Sequence, residues 1–299
     1  MKIVIYSRSP KAKKFPITVE VPDDATIKQL KSEIHKRFPK YYPERQRLTN
    51  GTQPLGDDKT LKESTLKDGD TIFFKDLGPQ ISWRLVYAIE YLGPLVLHPL
   101  FYYFSKQIYG KDFEHSKIQT IAYYLIMAHF IKREAETFFV HRFSHSTMPF
   151  KFIFKNSFHY HVLCGLNLAY WLYGPWGAAG TPGSEHSKWF TWTCIAVYMY
   201  AEIANFNTHI ILRDLRPPGT KIRRIPYGYG FGLVSCPNYF FELIAWISII
   251  VLTKSLAACL FIVVGFSQMY LWAIKKHKNY RKEFKNYPKN RKAIIPYLI

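Results

Sequence analysis

The sequence predicts two parts of different class: a small α+β head over residues 1–76, then an all-α polytopic membrane domain of about six transmembrane helices over 77–299. Three observations carry this. Apolar residues alternate with polar ones before Trp83 and gather into long runs after it. Lysines and arginines crowd the segments that six crossings would leave on one side. The 48% apolar and 17% aromatic content, with 22 Tyr and 23 Phe, falls mostly in the second part.

In the head, Ile3, Ile5, Ile17, Val19 and Val21 alternate with polar neighbours, which is strand patterning. Pro22-Asp-Asp-Ala-Thr26 turns the chain, and Thr26 can cap a helix with Ile27, Leu30, Ile34 and Phe38 on one stripe. Leu48-Thr-Asn-Gly51 reads as a strand and turn, and Asp70-Thr-Ile-Phe-Phe74 as a closing strand. This order, with "RQRLTNGTQPLGDDKTLKES" and "LKDGDTIFF", resembles ubiquitin and implies a β-grasp fold. Where ubiquitin ends in Gly-Gly, Lys75-Asp-Leu-Gly78 runs on toward a membrane span. The head therefore reads as a docking or stability module, not a conjugated tag.

Candidate spans are about Trp83–Phe104, Ile118–Val140, Phe152–Tyr173, Phe190–Leu212, Phe240–Leu252 and Leu256–Ile274. The fifth is short, so the last two also fit a re-entrant pair. The chain starts as a strand, Met1-Lys-Ile-Val-Ile-Tyr6, without the charged-then-apolar pattern of a signal peptide, so a cytosolic N-terminus is expected. Six spans then put 141–151, 213–239 and 275–299 on the cytosolic side. From Arg213 onward there are 15 Lys and Arg against 3 acids, whereas the opposite loop "GPWGAAGTPGSEHSK" has one lysine.

The net charge of +20 admits nucleic acid, an anionic membrane surface or a phosphorylated ligand; long apolar spans favour the last two, and no nucleic-acid partner is expected. Cys164, Cys194, Cys236 and Cys259 form no CxxC or zinc spacing. His141-Arg-Phe-Ser-His145 and His159-Tyr-His161 lack the adjacent histidine pairs of di-iron boxes, so no metal is expected. Gly228, Gly230 and Gly232 form GYGFG, which is not GxGxxG and follows no strand; a Rossmann site is excluded.

Ionisable groups inside spans are costly and line a site or pair with one another. Asn205, His209, Arg213 and Arg216 step by 4, 4 and 3 and fall within an arc of roughly 80°. Such a stripe suits a phosphate-bearing ligand at its lower end, or a polar seam between helices. Lys132 and Glu136 share one face, with Arg133 and Glu134 beside them, as an ion pair or as a proton network beside a substrate. In "YGFGLVSCPNYFFELIAW", Pro237 suits a helix start, and Asn238 and Glu242 are one turn apart with Tyr239 between. By residue type alone, Tyr239 is an interface anchor before it is an acid.

The segments "ILRDLRPPGTKIRRIPYGYGFGLVSCPNYFFELIAW" and "HKNYRKEFKNYPKNRKAIIPYLI" resemble the steroid 5-alpha-reductase family. "FFKDLGPQISWRLVYAIEYLGPLVLHPLFYY" and "KREAETFFVHRFSHSTMPFKFIFKNSFHYHVLCG", joined to the head, resemble its very-long-chain trans-2-enoyl-CoA reductase branch, in a fungal form. The resemblance implies NADPH-dependent reduction of trans-2-enoyl-CoA, the last step of very-long-chain fatty acid elongation, in the endoplasmic reticulum membrane with both termini cytosolic. It also implies other elongase components as partners. It carries catalytic standing onto Tyr239, Lys132 and Glu136, and cofactor contacts onto Asn205, Arg213, Arg216, Asn238, Glu242, Tyr280 and Arg291. His209 stands where the steroid reductases carry an acid and joins the cofactor set through its place in the stripe. The competing readings are a membrane methyltransferase of the isoprenylcysteine type and an inactive membrane adaptor with a ubiquitin-like head.

Overall fold

The computed structural model describes residues 1–10, 12–143, 146–177, 179–180, 185–217, 220 and 223–299. His145 of the histidine motif and Lys221 of the basic loop lie outside the described residues. The chain divides into two compact units.

In the first unit, β1 (Lys2–Ser7), β2 (Ile17–Glu20), β3 (Gln46–Asn50), β4 (Gln53–Pro54) and β5 (Thr71–Asp76) form a sheet in the order β2-β1-β5-β3-β4. The central pair, β1 and β5, is parallel, with Ile5 opposite Ile72. Helix α1 (Ile27–Arg37) starts at a capping box: Thr26 Oγ1 accepts from the Gln29 amide at 3.2 Å, and Gln29 Oε1 accepts from the Thr26 amide at 2.7 Å. Its stripe Ile27, Leu30 and Ile34 is fully buried with Ile3, Ile5, Leu48, Ile72 and Phe74, which is the core of a β-grasp head. The unit runs past residue 76 to Trp83 and takes in β7 (Thr147–Pro149), because β6 (Gln80–Ser82) pairs with it antiparallel. Two three-residue strands so far apart in sequence leave no periodicity to read.

The head's end is held by Arg45, whose Nε and Nη2 donate to the two oxygens of Asp76 at 2.5 and 2.7 Å. That hydrogen bond holds the Asp76 carboxyl below its ordinary 3.8. A depressed carboxyl pKa contributes stability above the unfolded value and loses it as pH falls through the folded one. Asp76→Asn is therefore expected to cost the head about 1.5–3 kcal/mol at neutral pH. Unfolding midpoints of variant and parent should converge as pH falls below 3.8; a constant difference across pH would show that the pair's charge contributes nothing.

The second unit is helical. It contains α2 (Trp83–Tyr103), the short α3 (Ser105–Tyr109) and α4 (Lys117–Phe139). A continuous run follows: α5 (Phe152–Ser157), a π-helical stretch (Phe158–Leu168) and α6 (Ala169–Tyr173). Then come α7 (Lys188–Asp214), α8 (Pro237–Thr253) and α9 (Leu256–Glu283). Each expected span falls on one of these helical segments. Among the described residues, α2 and α9 are long and apolar enough to cross a membrane; α8 is apolar but shorter. Helices α4 and α7 have the length, but Lys132, Arg133, Glu136 and Glu202 dilute their hydropathy. Large side chains such as Phe139, Trp189 and Leu256 are more than 80% exposed, which suits lipid contact.

Two glycines let α2 and the π-helical stretch touch. A Cβ on Gly93 would meet the His161 ring at 2.1 Å, and one on Gly165 would meet Leu97 Cδ1 at 2.4 Å. Across that contact His161 Nε2 lies 2.7 Å from the Ile89 carbonyl, and His98 Nδ1 lies 2.7 Å from the Tyr173 hydroxyl.

Candidate active site

The entry to α8 is built from its own loop and from the C-terminal tail. Gly230 holds φ +77°, and a Cβ there would meet Pro237 Cβ at 2.7 Å, so only glycine fits against the helix start. The tail laces onto this loop: the Ser235 amide donates to the Lys292 carbonyl at 2.8 Å and the Cys236 amide to Ala293 at 3.1 Å. Arg291 Nη1 donates to the Pro226 carbonyl at 2.9 Å, with the guanidinium over Tyr227 and Tyr287. Ser235 Oγ lies 2.6 Å from both His277 Nδ1 and the Tyr287 hydroxyl. Asn238 and Tyr239, in the first turn of α8, are thereby held at the wall of a cavity.

That cavity has a volume of about 460 Å³. Six arginines (133, 142, 213, 216, 223 and 224) and two lysines (275 and 276) line it. Among its described lining residues none is acidic, so the space suits an anion. Tyr87, Phe143, Trp272 and Tyr280 supply ring surface, and Tyr239, Asn238, His209 and His141 occupy the inner wall. The chain ends of α4 and α7 are tied together there: Arg142 donates to the carbonyls of Arg213 (3.0 Å) and Arg216, and Arg216 Nη1 returns a bond to the Arg142 carbonyl at 3.2 Å.

Behind the inner wall lies a buried ion network. Arg133 Nη1 donates to Glu136 Oε2 at 2.5 Å, and its Nη2 donates to the Tyr91 hydroxyl at 2.7 Å. His209 Nδ1 is 3.0 Å from Glu136 Oε1. Lys132 Nζ reaches Glu202 Oε2 and Asn205 Oδ1, each at 2.7 Å, and lies 3.8 Å from Glu136. Asn205 Nδ2 donates to the Asn238 carbonyl at 2.8 Å and to Glu242 Oε2 at 3.2 Å. Glu136, His141 and His209 are close enough to share a cation. The Arg133 guanidinium already fills that role, 2.5 Å from Glu136 and 3.3 Å from His209 Nδ1.

The residues expected at the site thus separate into three groups. His209, Arg213, Arg216, Asn238, Tyr239 and Tyr280 line the cavity. Lys132, Glu136, Asn205 and Glu242 lie in the network behind it. Arg291 sits apart, buried in the tail's contact with the loop. Of the stripe, Asn205 and His209 point into the bundle and are buried; Arg213 pairs with Asp214 at 2.8 Å, and Arg216 follows the end of α7. Sequence reasoning missed His129 and Glu202, although they lie three residues, about one turn, before Lys132 and Asn205 respectively.

A basic cavity over a charged network in a helical membrane unit, with a ubiquitin-like head, defines the class of protein. The profile described as 3-oxo-5-alpha-steroid 4-dehydrogenase matches residues 146–299, and that of the ubiquitin family matches 9–74. The chain belongs to the 3-oxo-5-alpha-steroid 4-dehydrogenase family. A Schizosaccharomyces pombe protein bearing an enoyl reductase name is 49% identical over 303 residues, covering 100% of both chains. The very-long-chain enoyl-CoA reductase of Dictyostelium discoideum is 42% identical over 85% of this chain and 82% of its own. A Caenorhabditis elegans protein of the same name is 39% identical over 95% and 94%.

Proposed function

We propose that the protein reduces the trans-2 double bond of very-long-chain enoyl-CoA with NADPH, the last step of fatty acid elongation, in the endoplasmic reticulum membrane. The observation that carries this is the placement of Tyr239 on the wall of a cation-lined cavity, in a chain whose relatives are named for enoyl-CoA reduction. The donor set fits NADPH. Arg213, Arg216, Arg223, Arg224, Lys275 and Lys276 offer charge-assisted bonds to its phosphates, and Tyr280 offers a ring face. Asn238 Oδ1 is buried with no hydrogen-bond partner among the described residues, an acceptor left for a ligand amide.

Bound NADPH supplies a hydride to the β-carbon of the enoyl thioester. The negative charge that grows on the thioester oxygen needs a donor beside it. Arg133 is the buried cation at that wall. Tyr239 then gives its hydroxyl proton to the α-carbon, which completes the saturated acyl-CoA and leaves a tyrosinate to be re-protonated from water. Among the described residues the Tyr239 hydroxyl donates to no group of the chain, so its proton is not committed elsewhere. Lys132 and Glu136 act from behind the wall: Glu136 orients Arg133 and His209, and Lys132 holds Asn205, which holds the Asn238 carbonyl.

The same reading takes α2, α4, the run from Phe152 to Tyr173, α7, α8 and α9 as six spans, with both termini and the basic rim cytosolic and elongase components as partners. At about 1.5 Å per residue, α8 spans only about 25 Å, so its polar start reaches into the cytosolic half of the bilayer. Glycosylation acceptors placed at either terminus should stay unmodified, and one placed between residues 174 and 187 should be glycosylated. A modified terminus would contradict the cytosolic cofactor site.

A further inference from the structure

His129 lies on α4 one turn before Lys132, 3% exposed and edge-on to Phe130 and Trp246. Its two ring nitrogens meet carboxylates from two other helices. Nδ1 is 2.7 Å from Glu202 Oε1 on α7, and Nε2 is 3.2 Å from Glu242 Oε1 on α8. A neutral imidazole has one N–H to give, and two carboxylate contacts need a proton each. Both acids also have a partner on their second oxygen: Glu202 Oε2 pairs with the Lys132 ammonium at 2.7 Å, and Glu242 Oε2 accepts from Asn205 at 3.2 Å. The charge count agrees. Glu136, Glu202 and Glu242 face two permanent cations, Lys132 and Arg133, and a charged His129 is the third. An unpaired buried carboxylate is costly. His209 differs, since it meets one carboxylate, Glu136 Oε1 at 3.0 Å from Nδ1, and a neutral ring has the one N–H this needs. Glu202 and Glu242 are the charged groups that meet His129 from α7 and α8, and Lys132 on α4 joins the cluster through Glu202.

We propose that His129 is a positioning residue for the reductase: a doubly protonated imidazolium strap that ties α7 to α8 and so sets Asn238 and Tyr239 at the cavity wall. Glu242 sits one turn after Asn238 on α8, and Glu202 one turn before Asn205 on α7. The strap therefore closes the same joint that Asn205 closes through the Asn238 carbonyl. His129 never reaches the cavity; its effect passes through the first turn of α8. The inference rests on the reductase reading for its kinetic consequence, but not for the pairing itself.

The test compares full-length protein in detergent as parent, His129→Gln and His129→Gln/Glu202→Gln. The double variant removes one positive and one negative charge and so restores the count. For His129→Gln, kcat with NADPH and a trans-2-enoyl-CoA should fall about tenfold or more, since misplacing a reacting group by an ångström costs up to about a hundredfold, while KM for the enoyl-CoA stays within about twofold. The double variant should regain most of that kcat and most of the lost unfolding midpoint. Parent-like kcat in His129→Gln overturns the strap. So does a double variant no better than the single one, in kcat or in yield of folded protein. A parent that oxidises no NADPH with enoyl-CoA sinks the reductase reading instead, and the three unfolding midpoints, read without substrate, still decide the pairing.

Discussion

Tyr239→Phe is expected to keep expression, folding and NADPH binding and to lose turnover by about 10²–10⁴-fold, the usual worth of a general acid. The ring stays packed against the cluster of Cys236, Ala273 and Ile294, so the start of α8 keeps its place. Only the hydroxyl goes, and among the described residues that hydroxyl bonds no other group. A change that is structurally mild and chemically severe separates the two roles open to this tyrosine. As an interface anchor it would tolerate the loss. Turnover within about twofold of the parent at saturating NADPH would remove Tyr239 from the mechanism.

Arg216→Ala is expected to raise the NADPH concentration needed for half-maximal rate about tenfold or more, since a charge-assisted bond is worth about 1.5–3 kcal/mol. Arg216 lines the cavity, and among the described residues its side chain makes one bond, to the Arg142 carbonyl at 3.2 Å. Its loss therefore removes little of the fold. The response to enoyl-CoA at saturating NADPH should change far less. An unchanged NADPH requirement would show that the stripe at the end of α7 is a seam between helices. Raising ionic strength should weaken NADPH binding in parent and variant alike, because the rim is exposed and its charges are screened.

Much of the fold was legible because each part carries its own period. The alternation around Ile3 and Ile5 and the stripe Ile27, Leu30 and Ile34 lead directly to the observed strands, the helix and their shared core. The helical segments coincide with the stretches expected to be helical, while among the described residues α2 and α9 are the ones long and apolar enough to cross a membrane. The β6–β7 ladder was not legible, since three-residue strands leave no pattern and their pairing is long-range. The π-helical stretch was hidden as well, because its sequence reads as ordinary apolar helix. At the site, spacing along one helix brought out Asn205 with His209 and Lys132 with Glu136. Spacing does not say which helix faces which. The joining of Lys132 to Glu202 and of His129 to Glu242 crosses helices, and so does the closure of Arg142 on Arg213. Arg291 shows the converse: a residue assigned by family pattern lies under the loop it braces, away from the cavity wall.

The central claim is that this chain moves a hydride from NADPH to the β-carbon and a proton to the α-carbon of an enoyl thioester. The most direct measurement incubates the purified protein with a trans-2-enoyl-CoA and NADPH deuterated at its transferable hydride, and locates the label in the product by mass spectrometry. The account predicts saturated acyl-CoA with one deuterium at the β-carbon and a solvent-derived hydrogen at the α-carbon, formed one-for-one with NADPH consumed. NADPH that binds but is not consumed, or label appearing anywhere but the β-carbon, would contradict it.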